Sequence, residues 1–214
     1  MDTELKEYYK KRAAEFDEVY TRPERQKDIQ LLTEFLKHSL AGKNVLEIAC
    51  GTGFWTQKYS ADAASVLATD YNNEVLRVAR SKDYLNPNIR FVTDDAYSLN
   101  KVTTKANACY AGFWLSHVEK SKRNSFLRTL HEHLEPGSTV IFADNLYVDG
   151  NSTPVSRRDS EGNTYQIRTL KDGTRHEILK NFITEEDFHA LLSDSTENLH
   201  YKKSEYFWYG WYRI

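Results

Sequence analysis

The sequence predicts an α/β domain in which short buried strands alternate with amphipathic helices. The strongest indication is an apolar run from Val45 to Ala49 that ends in Gly51 and Gly53. This run is too short for a free-standing helix and contains β-branched residues, and the glycines that follow allow a sharp turn. We therefore expect a buried strand from Lys43 to Ala49 that leads through a ligand-binding turn into a helix.

Length and composition limit the number of domains and the class of protein. A chain of 214 residues is long enough for one well-buried core and a little short for two. Hydrophobic residues make up 40% and charged residues 28%, which is typical of a globular protein, and the net charge of -2 gives no reason to expect nucleic acid. With no apolar run of membrane length and no apolar secretory signal, we expect a cytoplasmic protein without a membrane partner.

The two cysteines, Cys50 and Cys109, fall on or beside predicted buried strands. Neither belongs to a C-x-x-C motif or a histidine-rich cluster, so the sequence predicts small buried thiols and no metal site.

The first 42 residues predict a helical cap of two amphipathic helices. Apolar and aromatic residues recur at helical spacing from Leu5 to Tyr20, with charges on the other face. Pro23 suits the first turn of a second helix, whose apolar stripe runs from Ile29 to Leu40.

Beyond the first strand, four more buried strands are predicted, at residues 65–69, 88–93, 106–112 and 139–143. Asn72 is the expected N-cap of one intervening helix, because Glu74 follows in its first turn. Glu135-Pro136-Gly137-Ser138 should end the helix that precedes strand five.

After strand five the pattern changes. A polar loop follows, and then two alternating runs, 163–168 and 175–179, flank Asp172-Gly173, which predicts a β-hairpin. Since loops on a rigid scaffold carry specificity, the hairpin is the expected substrate lid. Each of Arg157, Arg158 and Arg168 either binds a carboxylate or phosphate of the substrate or is a solvated surface charge.

The remaining chain predicts one helix and a closing strand pair. Thr184 and Asp187 have the spacing of a capping box at the start of this helix. The aromatic stretch from Leu199 to Ile214 is too short to span a membrane and is expected to be a buried strand pair.

The segment Glu47-x-Ala49-Cys50-Gly51-Thr52-Gly53 resembles motif I of the class I S-adenosylmethionine (SAM) dependent methyltransferases. Asp70 ends strand two, and Asp95 with Ala96 follows strand three, in the order this family shows. The resemblance runs from about Asn44 to Asn145. It implies a Rossmann-like fold with a seven-stranded, mostly parallel sheet, an antiparallel last strand and helices on both faces.

The resemblance also implies one methyltransferase domain over residues 1–214. Its predicted parts are the helical cap (1–42), a SAM-binding core (43–147), a loop and hairpin lid inserted after strand five (148–182) and a closing helix with strands (183–214).

Several residues match cofactor positions of the family. Gly51 and Gly53 would allow close approach, Glu47 would lie near the methionyl end, Asp70 would accept the ribose hydroxyls, and Asp95 with Ala96 would bind adenine. The full predicted set for the cofactor is Tyr9, Glu47, Ala49, Gly51, Gly53, Trp55, Asp70, Tyr71, Asp95, Ala96 and Phe113. Tyr9 and Trp55 fit equally as core residues.

His117 follows strand four, at the sheet edge where ligands of open α/β sheets bind. A histidine there suits a general base, although it could equally cap the next helix or line the pocket. The predicted substrate-binding residues are Trp114, Asn145, Tyr147, Arg157 and Tyr165.

The implied reaction is in-line transfer of a methyl group from SAM to a small-molecule acceptor, which could be aromatic, or to a peptide carboxylate, leaving S-adenosylhomocysteine. No D/N-P-P-Y-type motif follows strand four, which argues against methylation of nucleic-acid bases. An NAD-dependent oxidoreductase is one alternative, but Thr56 stands where its fingerprint needs a third glycine, and a tyrosine-lysine pair is not evident. A non-catalytic SAM-binding protein is another, and a homodimer is left open.

Overall fold

The computed structural model describes residues 3–192 and 197–214, so the predicted closing segment 183–214 includes four residues outside the described part. The described strands are β1 (Asn44–Glu47), β2 (Ser65–Asp70), β3 (Ile89–Thr93), β4 (Ala106–Gly112), β5 (Leu134–Asn145), β6 (Arg157–Arg158), β7 (Thr164–Thr169), β8 (Arg175–Leu179), β9 (Glu197–Lys203) and β10 (Phe207–Arg213). The α-helices are α1 (Thr3–Arg12), α2 (Gln26–Leu40), α3 (Phe54–Tyr59), α4 (Asn73–Arg80), α5 (Arg123–Glu132) and α6 (Glu185–Leu192).

The main sheet has seven strands in the order β3-β2-β1-β4-β5-β10-β9. Strands β1 to β5 pair in parallel, whereas β10 is antiparallel to both of its neighbours. The predicted seven-stranded, mostly parallel sheet with an antiparallel strand at the end of the chain is confirmed. Strand order reverses between β1 and β4, which is where ligands of open α/β sheets bind.

Helices cover both faces of this sheet. Adjacent residues of a strand point to opposite faces, and Cys109 and Tyr110 of β4 accordingly belong to two different core clusters. One cluster includes Phe126 of α5 and Phe188 of α6, and the other includes Leu36 of α2. Both cysteines are buried, as predicted.

Three local features differ from the sequence-based expectation. The first predicted helix ends at Arg12, and a 3-10 helix continues from Ala13 to Tyr20. Asn72 occupies the N-cap position of α4, but its side chain makes no capping hydrogen bond. Strand β5 begins at Leu134 rather than residue 139, and its pairing with β4 is irregular where the chain passes through Pro136-Gly137, because proline cannot donate to a ladder.

A second, three-stranded sheet is formed by β6, β7 and β8. Its β7-β8 pair is the predicted hairpin, with Thr169 opposite Arg175 across the turn. Helix α1 lies against it, since the Glu177 N–H donates to the Glu4 carboxylate over 2.9 Å.

The capping box at α6 is confirmed by reciprocal 3.1 Å hydrogen bonds between Thr184 and Asp187. Within residues 3–192 and 197–214, no helix is both long and apolar enough to cross a membrane.

Candidate active site

A pocket of about 830 Å³ lies at the carboxyl ends of β1, β2 and β4. Most of the predicted cofactor residues line this first pocket, together with the predicted base and one predicted substrate residue. They are Tyr9, Glu47, Ala49, Gly51, Trp55, Asp70, Tyr71, Ala96, Phe113, Trp114 and His117.

The turn after β1 brings the backbone close to this pocket. Gly51 has φ +56°, and a Cβ on it would lie 3.1 Å from the ring of Phe16. Ala49 also adopts a positive φ, of 53°, which is uncommon for a residue with a side chain. Glycine at position 51 therefore lets the turn adopt this conformation and leaves room for the Phe16 ring beside the pocket.

Asp70 holds this turn from the end of β2. Its carboxylate accepts the N–H of Gly51 over 2.9 Å and the N–H of Asn72 over 2.8 Å. Burial raises the pKa of Asp70 to about 6, although these backbone hydrogen bonds act in the opposite direction. Each carboxylate oxygen keeps lone-pair capacity for a further donor, such as a ligand hydroxyl.

Glu47 is buried behind the turn, with 2% of its surface exposed. It accepts the hydroxyl protons of Thr56 over 2.7 Å and Tyr59 over 2.8 Å. Burial raises the pKa of Glu47 to about 7, despite these two hydrogen bonds. Thr56, which stands where a dinucleotide fingerprint would have its third glycine, thus donates a hydrogen bond from α3 to the Glu47 carboxylate.

At the end of β3, the residues that line the pocket are Asp94 and Ala96. Asp95 lies between them but is not among the lining residues, and its carboxylate accepts the N–H of Tyr97 over 2.9 Å. Its predicted contact with adenine stays a prediction.

A second pocket, of about 490 Å³, adjoins the first. The residues that line both pockets are Tyr9, Phe16, Tyr20, Phe113 and His117. These shared residues mark the junction through which a group could pass from one bound molecule to another. Phe113 has a positive φ of 59°, and its N–H donates to the Ala143 carbonyl over 2.6 Å, which fixes the chain at this junction.

Two guanidinium groups face the second pocket with neutral partners. Arg25 donates to the side-chain oxygens of Asn145 over 3.1 Å and Asn151 over 2.8 Å. Arg168 donates to the Gln166 side-chain oxygen over 2.6 Å. Burial lowers the pKa of both groups, and each stays a cation because arginine begins from so high a value.

Lys180 also lines the second pocket, but its charge is compensated. Its ammonium group lies 2.6 Å from the Asp144 carboxylate and 2.7 Å from the Ser116 hydroxyl. Burial alone would raise the pKa of Asp144, yet the charge and hydrogen bond of Lys180 hold it below its usual range. The two residues therefore form a buried ion pair.

His117 is fixed by contacts at both ring nitrogens. Its Nδ1 lies 2.6 Å from the Leu179 carbonyl oxygen, which can only accept, so Nδ1 carries the proton. Its Nε2 lies 2.9 Å from the Tyr9 hydroxyl and accepts from it. Burial, and then the charge of Lys180, lower the pKa of His117 well below its usual range, so the ring is neutral.

Unpaired polar atoms concentrate around the two pockets. In the part of the chain that the structure describes, eight buried side-chain nitrogen or oxygen atoms lack a hydrogen-bond partner. Five belong to pocket-lining residues: Arg25 Nε, Asn72 Oδ1, Tyr110 OH, Trp114 Nε1 and Arg168 Nε. Since buried polar atoms are normally satisfied, this distribution fits a polar cofactor and a polar acceptor.

Besides Asp95, four predicted site residues are not among those that line either pocket. Gly53 has φ +72° and packs against Tyr84 and Ala79. Tyr147 is 43% exposed and contacts Phe182. Arg157 stacks on Tyr165 across β6 and β7 and pairs with Glu177 over 2.8 Å. Tyr165 of β7 and its partner Arg157 of β6 lie on the opposite face of the small sheet from Arg168, because side chains alternate along a strand.

The sequence-based set did not include Arg25, Asp144 or Lys180. Asp144 carried a weak signal, because it follows a buried apolar strand directly. Arg25 carried none, because its partners lie more than a hundred positions away in the chain. Lys180 carried none, because its partners Ser116 and Asp144 lie 64 and 36 positions away.

Comparison with known proteins agrees with this geometry. A family model described as a methyltransferase domain matches residues 45–137. The demethylmenaquinone methyltransferase of Renibacterium salmoninarum is 26% identical over 106 residues, which are 50% of this chain and 43% of that protein. The chain thus spans less than half the length of the curated relatives it matches.

Solved structures match over nearly the whole chain. A DhpI–SAH complex superposes with a TM-score of 0.79 at 25% identity, over 98% of this chain and 95% of that one. A DhpI–SAM–HEP complex gives a TM-score of 0.81 at 23% identity, over 99% and 96% of the two chains. The sheet order, the turn after β1, the family model and these similarities together show the Rossmann-like methyltransferase fold and support a class I SAM-dependent methyltransferase.

Proposed function

We propose that the protein binds SAM in the first pocket and methylates an oxyanion of a small acidic molecule held in the second. SAM supplies a methyl group on a sulfonium, which an acceptor oxygen attacks while neutral S-adenosylhomocysteine leaves. The glycine turn, Asp70 and Glu47 are the residues that would hold the cofactor. Titration with S-adenosylhomocysteine and, separately, NAD tests this assignment against the oxidoreductase alternative.

The observation that carries the acceptor class is the pair Arg25 and Arg168. Both guanidinium groups face the second pocket, both have neutral partners, and each keeps a buried Nε without a partner. A guanidinium group binds oxyanions through paired N–H donors. An anionic acceptor would satisfy these atoms and reduce the repulsion between the two cations, which contributes to the lowered pKa of Arg25.

The charge balance favours a dianion over a monoanion. Lys180 is neutralised by Asp144 and His117 is neutral, so the two arginines leave about two positive charges around the pocket. A phosphonate or phosphate group carries up to two negative charges near neutral pH, whereas a carboxylate carries one. We therefore infer a small phosphonate or phosphate acceptor, with a carboxylate as the second candidate.

Such an acceptor needs no general base, because its oxygen is already deprotonated. The protein's tasks are then to hold the acceptor oxygen in line with the methyl group and to exclude water. The aromatic residues at the junction, Phe16, Tyr20 and Phe113, suit the second task. The similarity to a structure that contains HEP besides SAM supports the presence of two neighbouring sites.

The test uses matched pairs of acids that differ only in the anionic group. Alkylphosphonates and the corresponding alkylcarboxylates are incubated with the protein and SAM, and methyl ester formation is measured by mass spectrometry. We expect turnover of phosphonates to exceed that of the matched carboxylates at least tenfold. Turnover of neutral alcohols or amines, with none for either acid, would contradict the proposal.

A further inference from the structure

Tyr110 on β4 has a polar atom that no contact within the described protein uses. The residue is 1% exposed, and its hydroxyl has no hydrogen-bond partner. The hydroxyl lies beside Gly112, since a Cβ on that glycine would be 2.2 Å from it. Both residues line the first pocket, so the hydroxyl lies at the pocket end of the strand.

The Tyr110 hydroxyl differs from that of its neighbour Tyr59, which does have a hydrogen-bond partner. Tyr59 contacts Tyr110 edge to face at 5.9 Å, but the Tyr59 hydroxyl is taken up by Glu47. Glu47 and Tyr110 are partners in the β1-β4 register, so their side chains share one face of the sheet. Burial and then the charge of Glu47 keep the pKa of Tyr110 well above its usual range, so the phenol stays protonated.

We propose that the Tyr110 hydroxyl binds the amino-acid end of the SAM cofactor, an inference that rests on the proposed function. The cofactor has three polar parts, and Asp70 with the residues at the end of β3 is already suited to the ribose and the adenine. The amino-acid end carries an ammonium and a carboxylate, and a phenol can accept from the first or donate to the second. Glu47, on the same face, adds a negative charge above its pKa of about 7 and would then favour the ammonium.

The test compares two ligands by isothermal titration: S-adenosylhomocysteine, and 5′-methylthioadenosine, which lacks the amino-acid end. For Tyr110→Phe we expect about tenfold weaker binding of S-adenosylhomocysteine, equivalent to about 1.4 kcal/mol. Binding of 5′-methylthioadenosine should be unchanged. The ligand-free variant should unfold at or above the temperature of the parent, because an unsatisfied buried hydroxyl has been removed.

Tyr212→Phe is the matched control. Tyr212 is also fully buried, but its hydroxyl bonds to His131 over 2.8 Å and it is not among the lining residues. This variant should lower the unfolding temperature and leave both affinities unchanged.

Two results would overturn the inference on Tyr110: unchanged affinity of Tyr110→Phe for S-adenosylhomocysteine, or equal weakening for both ligands. If the parent protein itself does not bind S-adenosylhomocysteine, the proposed function fails instead.

Discussion

The Nε2 atom of His117 lies 2.9 Å from the Tyr9 hydroxyl, and both residues line both pockets. The lone pair that a general base would use is thus already occupied by a protein donor. Burial further disfavours the protonated ring that a base must form, as the lowered pKa of His117 indicates. This contact points to a positioning role for His117, in which it orients Tyr9 at the junction.

We expect His117→Asn to reduce the rate constant for methyl transfer less than tenfold, because the asparagine amide can still donate to the Leu179 carbonyl. Loss of a true general base typically costs 10²–10⁴-fold. The measurement is kcat against pH for parent and variant with the best acceptor. A loss above a hundredfold that diminishes as pH rises would restore His117 as the base.

Arg168→Gln should lower kcat/KM for the anionic acceptor by about 10- to 150-fold, since a hydrogen bond to a charged group contributes about 1.5–3 kcal/mol. Arg157→Gln is the control on the same small sheet, and it should change kcat/KM less than about threefold, because its pair with Glu177 is exposed. Equal effects of the two substitutions would argue against an anion site at Arg168.

Glu47→Gln should make stability less dependent on pH. The folded-state pKa of Glu47 is about 7, above its ordinary value of 4.5, so the folded protein holds a proton that the unfolded chain releases between these values. The stability from this proton is therefore present at low pH and lost as pH rises towards 7.

The free energy of unfolding of the glutamine variant, minus that of the parent, should accordingly rise by up to about 3 kcal/mol between pH 4 and pH 8. Urea denaturation of both ligand-free proteins across this range measures the difference. A difference independent of pH would show that Glu47 titrates normally.

Gly51→Ala should weaken S-adenosylhomocysteine binding at least tenfold, because its Cβ would meet Phe16 at 3.1 Å in the pocket. Gly150→Ala is the control: Gly150 also has positive φ, of +75°, but no atom lies within 4 Å of a Cβ there. Both variants should lose about 1–2 kcal/mol from the left-handed backbone alone. Equal affinities in calorimetry would mean that the Gly51 turn does not approach the ligand.

The parallel core was predictable because local signals coincide there. The short apolar run before Gly51 identifies the first strand and its turn. The carboxylate at the end of β2 identifies the residue that faces this turn, and neither inference needs knowledge of distant contacts. The seven strands and the antiparallel last strand were implied by the family resemblance, but the order of strands was not predicted, since a sequence alone does not say that β10 enters between β5 and β9.

The acceptor site was only partly predictable, because it depends on side-chain direction and distant pairing. Arg157, Arg158 and Arg168 look alike in sequence, but only Arg168 lines a pocket, since it shares a face of β7 with the buried Thr164 and Gln166. Arg25 reaches the same pocket from the start of α2, and its partners Asn145 and Asn151 are over a hundred residues away.

The position of β10 has a consequence for biosynthesis. Because β10 pairs with β5 on one side and β9 on the other, the edge of β5 stays without its native neighbour until residues 207–213 have left the ribosome. An unpaired edge on β5, which carries the apolar residues Val140, Ile141 and Phe142, is a template for association with other chains. Nascent chains in which residues 134–145 have emerged from the ribosome but residues 207–213 have not would therefore display this edge, and chaperone binding should be greatest at that stage.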